Sequence, residues 1–321
     1  MAFIPSVHHR YISMIVKPSP ILVTGAHRTG TTWVGKMLSA NPHIAYISEP
    51  LNLWHRPGVL SARLTHWYTY ICAENESVYL APFIDLLSYR YHLLGEIKAI
   101  RSRKDLFRMG RDLGIFCRGA LMRQVPMLKD PFAIFSLPWF IERMNCQAVV
   151  TVRHPAAFAN SLKRLNWLFD FGDLLHQPLL MRDYLEPYRR DMQSVKADDI
   201  IGQASLLWTI IYRTVHLIRQ QIPAIKIVRH EDLSLDPVSG YWTLYQSLGL
   251  DFTSRVEQTI LKSSSSENPS ELSQKKIHSV KLDSRANLDN WKRRLTSDEI
   301  GRIRRVTEEA AHLYYPEVNW N

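Results

Sequence analysis

The chain has 321 residues, 46% of them hydrophobic and 22% charged. These proportions exclude disordered, collagen-like and coiled-coil classes and leave enough apolar side chains for a large core. Forty Lys and Arg stand against 30 Asp and Glu, a formal charge of +10 that favours an anionic partner: nucleic acid, an acidic membrane or a phosphate-bearing ligand. Three widely spaced cysteines, Cys72, Cys117 and Cys146, form neither a disulfide framework nor a zinc site. Near the start the only apolar run is Ile12 to Val16, shorter than a signal-peptide core. No stretch reaches the roughly 18 apolar residues of a transmembrane segment, so a cytoplasmic placement is expected.

Short β-branched runs follow in chain order, each ending at polar or glycine-rich residues. Ile21–Thr24 runs into Gly25-Ala26-His27-Arg28-Thr29-Gly30-Thr31-Thr32, and Ile44–Ile47 into Ser48-Glu49-Pro50. Val125–Leu128 runs into Lys129-Asp130-Pro131, Ala148–Val152 into Arg153-His154-Pro155, and Ile225–Val228 into Arg229-His230-Glu231-Asp232. Such runs predict buried parallel strands. Helical spacing separates them: Val34 and Leu38 within Thr31–Ala40; Leu206, Leu207, Ile210, Ile211, Leu217 and Ile218 within Gln203–Gln221; Ile300, Ile303 and Val306 within Thr296–Leu313. The alternation predicts a three-layer α/β fold, a central parallel sheet flanked by helices on both faces. Residues 52–123, mostly helical in pattern and rich in Trp and Tyr, read as an insertion that caps the sheet. Residues 262–284, rich in Ser and Lys without an apolar period, read as a surface loop that a ligand would order.

In a parallel sheet, ligands bind outside the carboxyl ends of the strands. Arg28, Glu49, Lys129, Arg153 and His230 all stand at such ends and are expected to converge there. The first of these ends is a glycine-bounded loop opening a helix, which turns backbone N–H groups and a positive dipole end toward an anion. Thr29, Thr31 and Thr32 add hydroxyls, so the loop reads as a phosphate cradle. It departs from the nucleoside-triphosphate pattern GxxxxGK[ST], because Thr31 stands where that pattern requires lysine. Arg153, with Ser161 eight residues later on the following helix, is a candidate second phosphate site; a helix-capping ion pair is its bland alternative.

The segment Gly25 to Trp33 resembles the phosphosulfate-binding loop of the sulfotransferases that use 3′-phosphoadenosine 5′-phosphosulfate (PAPS) as sulfuryl donor. Arg153-His154-Pro155 with Ser161 resembles that family's 3′-phosphate motif at the same spacing, and the resemblance runs from about Pro20 to Tyr315 as one domain. It implies that Arg28, Thr29, Gly30, Thr31 and Thr32 hold the 5′-phosphosulfate, that Arg153 and Ser161 hold the 3′-phosphate, and that Trp33 lies near the adenine. Val228–Leu233 resembles the strand end that touches adenine, with His230 in place of the family's tyrosine. Ser284-Arg285-Ala286, ahead of Trp291-Lys292, resembles the basic segment that closes over the 3′-phosphate and makes Arg285 a candidate. The Lys-x-His of the cytosolic small-molecule branch is replaced by Lys129-Asp130-Pro131, whereas Ser48-Glu49-Pro50-Leu51 resembles the glutamate base of the carbohydrate and protein-tyrosine branches.

The resemblance therefore implies sulfuryl transfer to an acceptor hydroxyl, on a carbohydrate or glycolipid, by in-line displacement without a metal, with the bisphosphate PAP as product. Glu49 is the expected base, against the alternative of a salt-bridged structural carboxylate. Arg28 is expected to stabilise the leaving phosphate, and Lys129 either assists or pairs with Asp130. A P-loop nucleotide kinase or NTPase is the alternative reading. A nucleic-acid binder rests on charge alone and lacks a recognisable module, so nucleic acid is not an expected partner. A homodimer is a state open to an enzyme of this class. His8 and His9 read as solvated. The basic run Arg101, Arg103, Lys104, Arg108 and Arg111 reads as a solvated helix face or as a surface receiving an acidic or sugar-bearing acceptor.

Overall fold

A computed structural model describes residues 19–271 and 280–320; His8, His9 and the Ile12–Val16 run lie outside them. Five strands form one parallel sheet: β1 (Ile21–Gly25), β2 (Ile44–Ser48), β3 (Val125–Lys129), β4 (Gln147–Val152) and β5 (Lys226–Arg229), in the order β2-β3-β1-β4-β5. The helices used below are α1 (Thr31–Leu38), α2 (Leu80–Leu87), α3 (Leu93–Ala99), α4 (Arg103–Leu121), α5 (Pro155–Leu165), α6 (Ile200–Gln221), α7 (His230–Leu235), α8 (Pro237–Ser247), α9 (Ser254–Ser264) and α10 (Ser297–His312).

β1 is the centre of the sheet. Ile21, Leu22 and Val23 pair with Met127, Leu128 and Lys129 on one side and with Gln147, Ala148 and Val149 on the other. Successive side chains of a strand point to opposite faces. Ile21 and Val23 accordingly pack with Val34 and Leu38 of α1, Tyr241 and Tyr245 of α8, and Ile260 of α9. Leu22, Leu128, Val150 and Val152 face the other layer, where Phe158 of α5, Trp208 and Ile211 of α6, and Ile303 of α10 close the core. Both faces being covered explains why the strands read as continuous apolar runs rather than as alternating ones.

The expected strands and flanking helices are present, with small shifts. β1 reaches Gly25 and β5 begins at Lys226. Leu217 and Val306 are half-exposed rather than buried, because each sits off the inward stripe that Val215 and Ile218, and Ile303 and Ala310, define on their helices. Residues 52–123 are helical only from Leu80 onward; apart from a single 3-10 turn at Glu76–Val78, the chain from Asn52 to Tyr79 runs as turns. Pro57 and Gly58 interrupt any period there, and side chains elsewhere hold the backbone. Tyr70 N–H donates to Gln177 Oε1 at 2.8 Å, and Ile71 N–H donates to Ser136 Oγ at 2.9 Å. Tyr68 and Tyr70 of this stretch are buried beneath the turns, while Trp54 is exposed.

Candidate active site

The loop between β1 and α1 is shaped by two glycines. Gly25 (φ 146°) lies so close to β4 that a Cβ there would meet Thr151 Oγ1 at 2.4 Å. Gly30 (φ 99°) starts α1 in the left-handed region and passes within 2.9 Å of His230 Nδ1, measured to a Cβ built on it. Between them Arg28 adopts φ 70°, a conformation costing a non-glycine residue roughly 1 kcal/mol or more. Two tyrosine contacts fix the loop from outside: Ala26 N–H donates to Tyr212 Oη at 3.3 Å, and Tyr212 Oη–H donates to Thr151 O at 2.8 Å. Thr29 fastens the loop from within. It is 1% exposed, its hydroxyl donates to Ala26 O at 2.6 Å, its N–H donates to the same oxygen at 3.2 Å, and Thr151 Oγ1 lies 2.8 Å away.

A cavity opens at the carboxyl ends of β1 and β4, where the sheet order changes direction, and is lined by Arg28, Gly30, Thr31, Thr32, Trp33, Arg153, Ser161 and His230 together with Asn160 and Arg164. Arg28 Nε–H donates to Ser161 Oγ at 3.2 Å, which joins the loop to the motif on α5. Arg153 is held by Trp208, whose Nε1–H donates to its carbonyl at 2.9 Å, and its Nη1 reaches Arg28 O at 3.4 Å. Arg153 Nε is buried without a hydrogen-bond partner among the described residues. Burial, then the Arg153 and Arg164 guanidiniums, pull Arg28 down to about 10, still charged at neutral pH. Burial also lowers Arg153, with Glu231 opposing. Glu231 is committed elsewhere, accepting from His154 N–H at 2.9 Å and from Tyr315 Oη–H at 2.8 Å. The three guanidiniums repel one another; Glu271, also in the lining, stands 3.7 Å from Arg164, which leaves Arg28 and Arg153 as the pair an entering anion would relieve.

The far wall is aromatic. Trp33 donates Nε1–H to Ser263 Oγ at 3.0 Å and meets His230 edge-on at 5.6 Å between ring centroids. Burial, then Arg153, hold His230 well below its ordinary pKa, so the ring is neutral, and its buried Nε2 has no hydrogen-bond partner among the described residues. The described ends of the 262–284 segment line the cavity through Ser263, Glu271, Val280, Leu282 and Ser284; residues 272–279 lie outside the described residues. Arg285, expected over the 3′-phosphate, does not line it. Its Nε and Nη2 both donate to Leu235 O, at 3.0 and 2.7 Å, because the preceding Ser284 is pinned to Ser234 O and turns Arg285 outward.

Glu49 and Lys129 form a second cluster, two strands and one strand away from β1 respectively. Lys129 is 2% exposed and its Nζ pairs with Glu49 Oε1 rather than with Asp130. Asp130 is instead an acceptor for Leu51 N–H and Phe132 N–H, with burial pushing its carboxyl up to about 7. Glu49, with φ 50°, has its second oxygen held by Asn52 Nδ2 at 2.8 Å. The two clusters are connected by His27, whose Nδ1 lies 2.7 Å from Tyr68 Oη. Burial, then Arg28, bring His27 down to about 4 against the opposing charge of Glu49. The neutral ring joins an aromatic chain, His27–Tyr68–Phe132–Trp67–Trp54, with successive centroids 4.5–6.1 Å apart, ending at Trp54, which is 81% exposed.

Sequence reasoning missed Arg164, Asn160, Asn52 and the role of His27. Arg164 could have been found from its i+3 spacing to Ser161, and Asn160 from its i−4 spacing to Arg164; Asn52 and His27 become legible only once the Asn52–Tyr79 turns are placed.

The model of the sulfotransferase domain matches residues 18–314. Among solved structures, the chain is similar to the sulfotransferase domain of the Synechococcus PCC 7002 olefin synthase, at 16% identity and a TM-score of 0.49 over 94% of this chain and 97% of that one. It is also similar to the sulfotransferase domain of the curacin biosynthetic pathway (14%, 0.46, over 92% and 98%) and to sulfotransferase STF9 from Mycobacterium avium (14%, 0.45, over 93% and 77%). No curated protein matches it. With the family's domain covering nearly all of its length, the chain belongs to the sulfotransferases.

Proposed function

We propose that the chain transfers a sulfuryl group from PAPS to an acceptor hydroxyl on a carbohydrate or a lipid-linked alcohol, with residues 20–315 acting as one catalytic unit. The carrying observation is the donor cavity, where Arg28, Arg153 and Arg164 meet a glycine-shaped helix start and where the buried Arg153 Nε has no hydrogen-bond partner among the described residues. Such a cavity fits a ligand with two separated anionic groups and a flat base. Gly30, Thr31 and Thr32 at the start of α1 would hold the 5′-phosphosulfate, Arg153 and Ser161 the 3′-phosphate, and Trp33 with His230 the adenine. His230 Nε2 offers the base a hydrogen bond where the family's tyrosine would stand.

When bound, the donor supplies an activated sulfuryl group whose departure leaves PAP. The protein's part is positional and electrostatic, as in phosphoryl transfer. Arg28, charged and fixed through Ser161, faces the negative charge that grows on the leaving phosphate. Glu49 receives the acceptor's proton: Lys129 holds one carboxylate oxygen, Asn52 the other, and its side chain keeps 27% exposure, so an entering hydroxyl can reach it. The outer members of the aromatic chain, the exposed Trp54 with the half-buried Trp67 and Phe132, would offer the acceptor flat apolar faces suited to the C–H face of a sugar ring or to an alkyl segment. Family membership favours this reading over a nucleotide kinase.

Calorimetric titration with 3′,5′-adenosine bisphosphate, beside 5′-AMP and ATP, tests the donor assignment. Binding of the bisphosphate at least tenfold tighter than 5′-AMP, lost in Arg153→Ala, is the expected result. ATP binding tightly with no response to the bisphosphate would overturn it.

A further inference from the structure

Between Leu93 and Arg123 the chain carries eight basic and three acidic residues, and the structure sorts them by side. All eight basic residues are exposed, while Glu96, Asp105 and Asp112 are all buried. Arg56 Nη1 meets Asp105 Oδ1 at 2.9 Å and Arg56 also pairs with Glu96, while two of the eight cations have a buried acid beside them: Arg111 meets Asp112 at 2.8 Å and Arg108 stands 3.7 Å from Asp105. The outer surface of α3 and α4 therefore presents positive charge with no exposed carboxylate among it. Apolar side chains stand in the same surface. Leu94 is 77% exposed, Phe107 80%, Ile97 50% and Leu106 48%. On α4 the outward stripe Arg103, Phe107, Gly110, Gly114 lies opposite the buried Asp105, Asp112 and Phe116. Nothing among the described residues lies within 4 Å of a Cβ built on Gly110 or Gly114, so the face has no internal cover.

We propose that this face docks on the surface of an anionic lipid bilayer. A helix pair with cations around protruding Leu, Ile and Phe is the pattern that settles at a headgroup boundary, its apolar side chains entering the acyl edge and its cations meeting lipid phosphates. A nucleic-acid partner would use the cations but leave Leu94 and Phe107 in water, and an acidic polysaccharide would do the same. The face is also coupled to the catalytic side. Arg56, which holds Glu96 and Asp105, follows Glu49 by seven residues, and the exposed Trp54 precedes it by two. Gly58 N–H donates to Glu96 Oε2 at 2.9 Å and completes the join. Docking would thus bring the rim carrying Glu49 and Trp54 to the lipid surface, where an alcohol carried by a lipid is presented to it. The docking rests on the outer face alone and stands apart from the donor assignment.

Flotation of the full-length protein with phosphatidylcholine vesicles, with and without phosphatidylglycerol, tests this at about 0.1 M salt, where charges are still felt over about 10 Å. Binding to the anionic vesicles only is expected. A Phe107→Ser, Leu94→Ser double variant and an Arg103→Glu, Lys104→Glu double variant should each lower partitioning by about tenfold or more, with unchanged thermal midpoint and bisphosphate affinity. Failure to float with anionic vesicles, or equal flotation of the variants, overturns the proposal. So does a dimer in light scattering that Phe107→Ser dissociates, which gives the face to a second copy. Retention on RNA or DNA that depends on these residues, without vesicle binding, overturns it as well.

Discussion

Individual side chains in this chain divide into those that touch the cavity and those that hold such residues in place, and residue type alone does not separate the two. Thr29 and Thr32 look alike in the loop, yet Thr29 spends its hydroxyl and its N–H on Ala26 while Thr32 lines the cavity. Arg153 and Arg285 look alike as phosphate ligands, yet only Arg153 faces the cavity. The strand-end placement of Arg28, Glu49, Lys129, Arg153 and His230 was legible because parallel strands deliver their last residues to one edge. The Lys129–Glu49 pairing was not, because it depends on which neighbouring strand stands beside β3. Titration offers a direct reading of burial at this scale. His154 stacks on Trp291 at 5.1 Å, and burial, then Lys292 and Arg153, hold it near 4. Its folded pKa lies below the unfolded value of about 6.5, so the unfolded chain takes up the proton first and stability is lost as pH falls through that window. Urea unfolding of the wild type and His154→Phe at pH 7 and pH 5 should show the wild type losing about 2 kcal/mol more than the variant over that interval. A pH-independent difference would mean that His154 titrates in the folded protein as it does in the unfolded chain.

Elements were the most readable scale where a period exists. Five apolar runs became five strands, and the α1, α6 and α10 stripes became helices, since a buried face forces a repeat of about 3.6 residues. The Asn52–Tyr79 stretch has no such repeat: its order comes from Gln177 and Ser136, more than 60 residues away, and no local rule reports that. The late helix shows how a local signal can be checked by itself. Thr296 Oγ1 accepts from Glu299 N–H at 3.2 Å and Glu299 Oε2 accepts from Thr296 N–H at 2.8 Å, a reciprocal cap at the start of α10. α10 packs against α5, which carries Ser161 and Arg164. Thr296→Ala should lower unfolding free energy by about 1 kcal/mol in urea while leaving bisphosphate affinity unchanged. A loss of affinity matching the loss of stability would show that α10 positions the cavity rather than only supporting the fold.

At the scale of the whole molecule, the +10 charge has two visible concentrations. One lies inside, as the Arg28, Arg153 and Arg164 cluster at the switch point of the sheet; the other lies outside, on α3 and α4. The Glu49–Lys129 pair and the aromatic chain from His27 to Trp54 belong to neither concentration, and the proposed acceptor would meet them. The central claim is that Glu49 takes the acceptor's proton beside a PAPS cavity. Transfer of labelled sulfuryl from PAPS to a panel of sugars and lipid-linked alcohols, by the wild type and by Glu49→Gln, tests it most directly. The account predicts label on an acceptor hydroxyl with the wild type, and a turnover at least about 100-fold lower in Glu49→Gln with bisphosphate affinity preserved. Wild-type turnover in Glu49→Gln would contradict it.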